Sequence, residues 1–274
     1  MNTIVSVEWL NQQIKDPDLI LLDASLQTTA EGASADSNLQ TIPGARHFDL
    51  RKSFSDCNSP FPNTLPKAEQ FEANCQELGI QQNSKIIVFD SLGIYSSPRV
   101  WWLFKVMGHP NVSVLDGGFP EWLSKGYQTE RRVQKNYELG TFKATLETRN
   151  LKNYQDILDN LKKKTFTVID ARSEGRFNGT EKEPRKHLKS GHIPDSINMP
   201  YQNVLKNGKF KSELELKKII NLKLPKNEKL VFSCGSGLTA CIVMLACETV
   251  SQKGLAIYDG SWTEWAELQN LKTI

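Results

Sequence analysis

The stretch KLVFSCGSGLTACIVMLAC, from Lys229 to Cys247, joins a short apolar run to a long one through the hexapeptide Cys-Gly-Ser-Gly-Leu-Thr. The first run has the length of a buried strand, and the second has the length of a helix. We therefore predict a strand that opens directly into a helix, with Cys234 at the turn. Turn amides and a helix N-terminus favour a thiolate over a thiol, so Cys234 is a candidate nucleophile. The alternative is an inert buried cysteine beside a tight turn.

The same loop lacks the arginine that a cysteine phosphatase needs. Such an enzyme closes its loop with an arginine after five intervening residues, and that arginine holds the phosphate oxygens. The corresponding residue here is Ala240, so we do not expect dephosphorylation. The space between Cys234 and Thr239 favours a small anion such as a sulfur atom bonded to sulfur. The loop therefore predicts persulfide chemistry.

Length and composition indicate a globular protein with room for two domains. The chain has 274 residues, of which 39% are hydrophobic and 24% charged. A net charge of +3 is too small to indicate a nucleic-acid partner. No apolar run approaches the ~18 residues of a membrane-spanning helix, and the N-terminus lacks the pattern of a targeting segment. We therefore expect a cytoplasmic protein that binds neither nucleic acid nor membrane.

The cysteines favour a reducing compartment and no metal. There are five of them, an odd number without a CxxC spacing, which disfavours both a disulfide framework and a zinc site. Cys241 and Cys247 fall in the apolar run after the loop, and we predict that they are packing residues.

Four segments of the first half recur in the second half in the same order, which indicates a duplication. The pairs are LILLDAS at 19–25 with TFTVIDARSEGRF at 165–177, TIPGARHFDL at 41–50 with HIPDSINMPY at 192–201, KIIVFD at 85–90 with KLVFSC at 229–234, and VSVLDGGFPEW at 112–122 with LAIYDGSWTEW at 255–265.

The pattern within each half predicts an α/β fold. Short β-branched runs alternate with helical stretches, which is typical of a parallel sheet with helices on both faces. We predict a first domain at 1–138 without a catalytic cysteine, a polar linker at 139–150, and a catalytic domain at 151–274.

The first half cannot perform thiol chemistry at its own loop. Asp90 stands opposite Cys234 in the repeat, and the following loop, SLGIYSSPR, has no cysteine. We expect the first half to wall the site and to contribute residues such as Asp49 and Tyr95. The alternative is that this half is only a structural remnant.

A long loop after a predicted strand, residues 170–194, carries three arginines. The planar guanidinium fork matches a carboxylate, and loops at the carboxyl edge of a sheet commonly carry function. Arg176 and Arg185 are the candidate substrate anchors. From spacing alone, ion pairs with nearby glutamates are equally expected. Those glutamates are Glu174, Glu181 and Glu183.

The chain resembles a tandem-domain sulfurtransferase of the rhodanese superfamily over essentially its full length, and it is most similar to the 3-mercaptopyruvate sulfurtransferases. The resemblance implies a persulfide on Cys234 and a substrate carboxylate held by Arg176 and Arg185. The matching segments are TIPGARHFD, YSSPRVWW, LDGGFPEW, DARSEGRFNGT followed by EPR, GHIP, CGSGLTA and YDGSWTEW.

The loop separates two branches of that family. Thiosulfate sulfurtransferases resemble CRKGVTA, in which two cations face a dianion, whereas this loop is uncharged. The resemblance therefore favours 3-mercaptopyruvate as donor. Ser236 and Thr239 are expected to donate hydrogen bonds as charge shifts towards the enolate of pyruvate. The remaining loop residues are expected to line the substrate, and they are Gly235, Gly237 and Leu238.

One departure from the family concerns a proposed proton relay. Members of this branch usually carry a histidine before Leu-Pro, assigned with an aspartate and the loop serine to a relay. Here SPFPNTLP has Asn63 at that position. Because an amide does not titrate, Asp49, Asn63 and Ser236 cannot shuttle a proton in that way.

The sequence thus predicts an enzyme that uses neither metal nor organic cofactor. Its partners would be a small-molecule sulfur donor and an acceptor, for which cyanide, a small thiol and thioredoxin remain open. Two alternatives stay open: a thiosulfate sulfurtransferase, and a sulfur-carrier or protein-docking module without turnover.

Overall fold

A computed structural model describes residues 2–27, 40–133, 135–226 and 228–270. Within these residues the chain forms two units. Unit 1 comprises the described residues of Met1–Cys57, Leu65–Glu147 and Asn207–Phe210. Unit 2 comprises those of Asn58–Thr64, Thr148–Lys206 and Lys211–Ile274.

The secondary structure alternates between short strands and helices, as the sequence pattern predicts. In the first half the strands are β1 (Ile4–Val5), β2 (Leu19–Asp23), β3 (Gln40–Thr41), β4 (Arg46–His47), β5 (Lys85–Phe89), β6 (Val112–Leu115) and β7 (Glu130–Arg131), and the helices are α1 (Val7–Gln13), α2 (Ala68–Glu77), α3 (Ser97–Val106) and α4 (Gly118–Ser124). In the second half the strands are β8 (Leu151–Lys152), β9 (Thr167–Asp170), β10 (Ile197–Asn198), β11 (Leu205–Lys206), β12 (Lys209–Phe210), β13 (Leu230–Ser233) and β14 (Leu255–Tyr258), and the helices are α5 (Tyr154–Lys163), α6 (Glu174–Asn178), α7 (Glu213–Lys223), α8 (Thr239–Thr249) and α9 (Ser261–Asn270). Two 3-10 turns lie at Thr148–Asn150 and Tyr201–Val204.

Each unit contains a five-stranded parallel sheet, and the two sheets have the same topology. The order is β1-β6-β5-β2-β4 in unit 1 and β8-β14-β13-β9-β10 in unit 2. The four repeated sequence pairs fall on corresponding strands: β2 with β9, β4 with β10, β5 with β13, and β6 with β14. The predicted duplication and the α/β fold are confirmed.

The sheet of unit 1 is buried on both faces, as β5 illustrates. Ile87 and Phe89 pack in a cluster with residues of α1 and α4. Ile86 and Val88 are also fully buried. Because side chains alternate along a strand, they lie on the opposite face. A parallel sheet covered by helices on both sides needs this continuous apolar run rather than an alternating one.

The sheet of unit 2 packs against α9 on one face and contacts α8. Val231, Tyr258 and Trp265 belong to one apolar cluster. Every residue of α8 from Thr239 to Cys247 is buried. A helix that is apolar all round belongs in a core, so α8 holds the loop before it in a fixed position.

The segment at 139–147, part of the predicted linker, lies against unit 1. Gly140 and Phe142 donate backbone hydrogen bonds to Gln76 and Ile80, and Phe142 is fully buried. The segment therefore makes ordered contacts there although it contains neither helix nor strand. Across the described residues, no helix is both long and apolar enough to cross a membrane.

Candidate active site

Cys234 lies where β13 ends, and α8 begins five residues later at Thr239. This is the strand, turn and helix that the sequence predicts. Cys234 is only 2% exposed, at the carboxyl edge of the sheet. Gly237 has a φ of +79°, a conformation that glycine adopts without steric cost. The N-cap residue of α8 is Leu238, whose side chain makes no capping hydrogen bond.

The start of α9 binds the backbone of the cysteine loop through two amide and two hydroxyl groups. The Trp262 amide donates to the Cys234 carbonyl at 2.9 Å. The Thr263 amide and hydroxyl both donate to the Gly235 carbonyl, at 3.1 Å and 2.6 Å. The Ser261 hydroxyl accepts from the Cys234 amide at 3.2 Å. Sequence reasoning missed these residues as site components, although they lie in the repeated segment YDGSWTEW.

Asn63 contacts the loop serine inside unit 2. Its Nδ2 donates to the Ser236 Oγ at 3.0 Å and to the Ser236 carbonyl at 3.2 Å. Asn63 has a φ of +59°, which asparagine tolerates better than most residues. Since the Ser236 hydroxyl accepts from Asn63, its own hydrogen is directed elsewhere. Ser236, Leu238 and Thr239 are all buried.

Arg185 lies close to the loop and hydrogen-bonds to α9. Its Nη1 donates to the Thr263 Oγ1 at 3.2 Å. Within the described ranges no Asp or Glu forms an ion pair with it. Burial lowers the pKa of Arg185, and Arg176 lowers it further; the nearby Cys234, Glu183 and Glu267 raise it. The side chain is therefore a partly desolvated cation near the sulfur.

Arg176 is held differently, in a buried ion pair with Glu183. The Arg176 Nη2 lies 2.7 Å from the Glu183 Oε2, and Nε is 3.2 Å from both carboxylate oxygens. A Cβ added to Gly235 would lie 3.0 Å from the same Nη2. Of the three glutamates near Arg176 in sequence, Glu183 is thus the one that forms the ion pair. Arg176 also lies against Gly235, the residue that follows Cys234.

Glu183 also binds a second buried arginine. The Arg172 Nη1 is 2.7 Å from the Glu183 Oε1, and its Nη2 is 2.6 Å from the Asp170 Oδ2. The guanidinium lies over the Trp262 ring, 4.2 Å from the centroid. Asp170 also accepts from the Arg172 amide at 2.9 Å. The contacts of Arg172 are therefore structural: they connect the segment that follows β9 to α9.

The other cysteines differ from Cys234 in their surroundings. Burial raises the pKa of Cys75 well above its ordinary value and raises that of Cys247 to about 12. Cys241 is fully buried and donates from Sγ to the Gly237 carbonyl at 3.2 Å. Cys57 is exposed, with Sγ 3.2 Å from the Lys52 carbonyl.

Unit 1 places a carboxylate where unit 2 has the thiol. The Asp90 Oδ2 accepts from the amides of Tyr95, Ser96 and Ser97, at 2.9 to 3.0 Å. Ser97 is the first residue of α3, so the N-terminus of this helix binds an anion supplied by the chain itself. Tyr95 is buried beside it. Asp49, also in unit 1, accepts from the Lys52 amide at 3.1 Å.

Comparison with known proteins identifies the family. Residues 6–125 and 153–268 each match the Rhodanese-like domain. The chain belongs to the rhodanese family. It is 39% identical to the 3-mercaptopyruvate sulfurtransferase of Mus musculus over 272 residues, which covers 96% of this chain and 91% of the relative. It is also 39% identical, with the same coverage, to the thiosulfate sulfurtransferase of Cricetulus griseus.

A solved member of the family has the same fold. The crystal structure of SseA from Escherichia coli, described as a 3-mercaptopyruvate sulfotransferase, is 32% identical to this rhodanese-family chain. It superposes with a TM-score of 0.85 and covers 96% of this chain and 99% of its own. Equal identity to relatives named for two different donors means that overall similarity does not select the donor.

Proposed function

We propose that this protein is a sulfurtransferase that takes sulfur from 3-mercaptopyruvate onto Cys234. The Cys234 thiolate attacks the donor sulfur, the carbon–sulfur bond breaks, and its electron pair leaves on the enolate of pyruvate, which then takes up a proton. The resulting persulfide loses its outer sulfur to an attacking acceptor thiolate, and Cys234 leaves as a thiolate. The reaction is covalent catalysis in two half-reactions.

The observation that carries this proposal is the surroundings of the Cys234 loop. The loop lies directly before the N-terminus of α8, and the first residues of α9 bind its backbone. Arg185 lies near the sulfur, with Glu183 and Glu267 nearby but no Asp or Glu at ion-pair distance in the described part of the chain. Helix N-termini and a cation both favour negative charge, which develops on sulfur and on the departing enolate.

Arg185 is the better candidate for the substrate carboxylate. A guanidinium that already faces a buried carboxylate, as Arg176 does, has fewer donors left for a ligand. We therefore assign Arg185 to the carboxylate and Arg176 to a supporting position against Gly235. Ser236 and Thr239 would donate to the developing enolate, and Gly235, Gly237 and Leu238 would line the donor. Asp49 and Tyr95 remain proposed contributors from unit 1.

Thiosulfate is the second candidate donor. The relative named thiosulfate sulfurtransferase is as similar in sequence as the one named for 3-mercaptopyruvate. The uncharged residues Gly235 and Ser236 favour 3-mercaptopyruvate, because a dianion gains more from cations in the loop. Arg176 also occupies the space that a side chain at position 235 would enter.

The proposal also covers the sulfur acceptor and the cellular compartment. We propose a thiol acceptor in the cytoplasm, with thioredoxin and small thiols as the compounds to try first and cyanide as a laboratory acceptor. A sulfur carrier without turnover would form the persulfide yet release no sulfur to any of them. Measuring kcat/KM for both donors with each acceptor separates these possibilities.

Incubation with 3-mercaptopyruvate is expected to add one sulfur atom to Cys234 and to no other cysteine. Burial raises the pKa of Cys75 and Cys247, and Cys241 is fully buried in α8, whereas Cys234 lies before the N-terminus of α8 with Arg185 nearby. Intact-protein mass spectrometry followed by peptide mapping measures the outcome. Persulfide on another cysteine, with Cys234 unmodified, would refute the mechanism.

Arg185→Lys is expected to raise KM for 3-mercaptopyruvate. Lysine keeps the charge but loses the planar fork that binds a carboxylate with two hydrogen bonds. The expected cost is about 1.5 to 3 kcal/mol for a lost charged hydrogen bond. Arg131→Lys, an exposed substitution in β7, is the matched control. Unchanged kinetics in Arg185→Lys would remove this residue from the substrate site.

A further inference from the structure

We propose that Ser261 is a positioning residue for the nucleophile, holding the Cys234 backbone so that the sulfur faces the donor. The inference rests on the proposed sulfur transfer, and it adds a residue outside the cysteine and arginine loops. Ser261 is the first residue of α9 and is fully buried.

The Ser261 hydroxyl is engaged on both sides. It donates to the Tyr258 carbonyl at 3.0 Å and accepts from the Cys234 amide at 3.2 Å. The first bond uses the single hydroxyl hydrogen, which directs an oxygen lone pair towards Cys234. The amide of the nucleophile is therefore anchored by an oriented side chain.

Ser261 adopts a backbone conformation that costs free energy for a serine. Its φ is +53°, in the left-handed region where glycine has no steric penalty. Strained non-glycine residues persist where the surroundings stabilise them, and they cluster at functional sites. Here the side chain that causes the strain is also the one that binds Cys234.

The repeat supplies an internal comparison. The corresponding residue in unit 1 is Gly118, with a φ of +51°. The next amide, of Phe119, donates to the Asp90 carbonyl at 3.0 Å, just as Trp262 donates to Cys234 at 2.9 Å. The hydrogen bond between the start of the helix and the neighbouring loop therefore forms in unit 1 with glycine at the position of Ser261.

Unit 1 also excludes a side chain there. A Cβ on Gly118 would lie 2.4 Å from the Asp90 carbonyl oxygen and 2.6 Å from that of Gly93. Unit 2 accommodates the Ser261 side chain, and the unit that carries the thiol is the one that carries the hydroxyl. We infer that the hydroxyl serves Cys234 rather than the fold.

The predicted kinetic effect follows from what Ser261 contacts. Removing the hydroxyl leaves the buried Cys234 amide without this acceptor, and the backbone turns to find another. Sulfur then spends less time in line with the donor, which slows chemistry. Because Arg185, the proposed carboxylate-binding group, hydrogen-bonds to Thr263 rather than to Ser261, we expect KM for 3-mercaptopyruvate to stay unchanged.

Two variants of the 274-residue chain separate the effect of the hydroxyl from the effect of the backbone strain. Ser261→Ala removes the hydroxyl and keeps a Cβ, whereas Ser261→Gly removes the hydroxyl and relieves the strain. We expect both to lower kcat with 3-mercaptopyruvate by about tenfold, the rate effect of roughly one lost hydrogen bond, with KM unchanged. Alkylation of Cys234 by iodoacetamide, mapped by mass spectrometry, should slow in parallel. Thr249→Val is the control, since its hydroxyl donates to Leu245 at the far end of α8.

Ser261→Gly tests the positioning role of Ser261 even if Ser261→Ala fails to fold. We expect it to keep the parent's thermal midpoint or exceed it, yet to alkylate Cys234 slowly. A glycine variant with parental kcat and alkylation rate, or one with raised KM and unchanged kcat, would overturn the assignment. Alkylation needs no sulfur donor, so it reports on the position of Cys234 even if the parent protein forms no persulfide. Absence of the persulfide in the parent would refute the proposed function, and the two failures are therefore distinguishable.

Discussion

Cys234→Ser is expected to abolish sulfur transfer with both 3-mercaptopyruvate and thiosulfate. A serine hydroxyl occupies nearly the same space but is not a nucleophile towards sulfur, so neither half-reaction can proceed. Losing a covalent nucleophile typically costs a factor on the order of 10⁴ or more in kcat. Pyruvate release and intact-protein mass spectrometry measure the two halves of the reaction.

Cys57→Ser is the matched control for this substitution. Cys57 is exposed and belongs to unit 1, so the same change in chemistry should leave turnover at the parental rate. Circular dichroism checks that both variants keep the fold. Residual turnover above about a hundredth of the parental rate in Cys234→Ser would mean that another group carries sulfur.

Glu183→Gln is expected to lower the free energy of unfolding of unit 2 by about 3 to 5 kcal/mol, the typical cost of breaking a buried ion pair. The carboxylate binds Arg172 and Arg176, and the Glu183 side chain is 1% exposed. In the variant, the neutral glutamine would pair with neither guanidinium group. Of the two carboxylates that contact these arginines here, only that of Asp170 would remain. Urea unfolding, followed by fluorescence and circular dichroism, measures the change.

The control is Glu213→Gln, the same substitution in an exposed pair with Lys217 on α7. Exposed pairs of this spacing contribute about 0.3 to 0.5 kcal/mol, so little change is expected. A Glu183→Gln variant as stable as this control would show that the stability of unit 2 does not depend on the charge of the Glu183 carboxylate. We also expect KM for 3-mercaptopyruvate to rise, since Arg176 would lose the partner that holds it beside Gly235.

The sequence by itself determined the architecture of this protein. The four repeated segments predict two similar domains, and each falls on a corresponding strand of the two sheets. The strand, loop and helix around Cys234 also follow from sequence, because apolar run lengths and glycine positions are local properties of the chain. A family resemblance in these same segments was enough to predict the activity.

Only the tertiary structure distinguished residues that the sequence left equivalent. Arg176 lies in the short helix α6 and Arg185 in the segment after it, so the predicted loop is partly helical. Arg176 is paired with Glu183, while Arg185 has no such ion pair in the described ranges. Which arginine pairs with a carboxylate depends on how α6 and the segment after it fold against the sheet, and residue spacing does not encode that.

The role of Ser261 is likewise a tertiary result. Ser261 is 27 residues after Cys234, and their hydrogen bond exists because parallel pairing of β13 with β14 brings two loops to one edge of the sheet. The sequence shows the serine only as a difference from Gly118 in the repeat. Its significance depends on a backbone conformation and a long-range contact, and local sequence patterns carry information on neither.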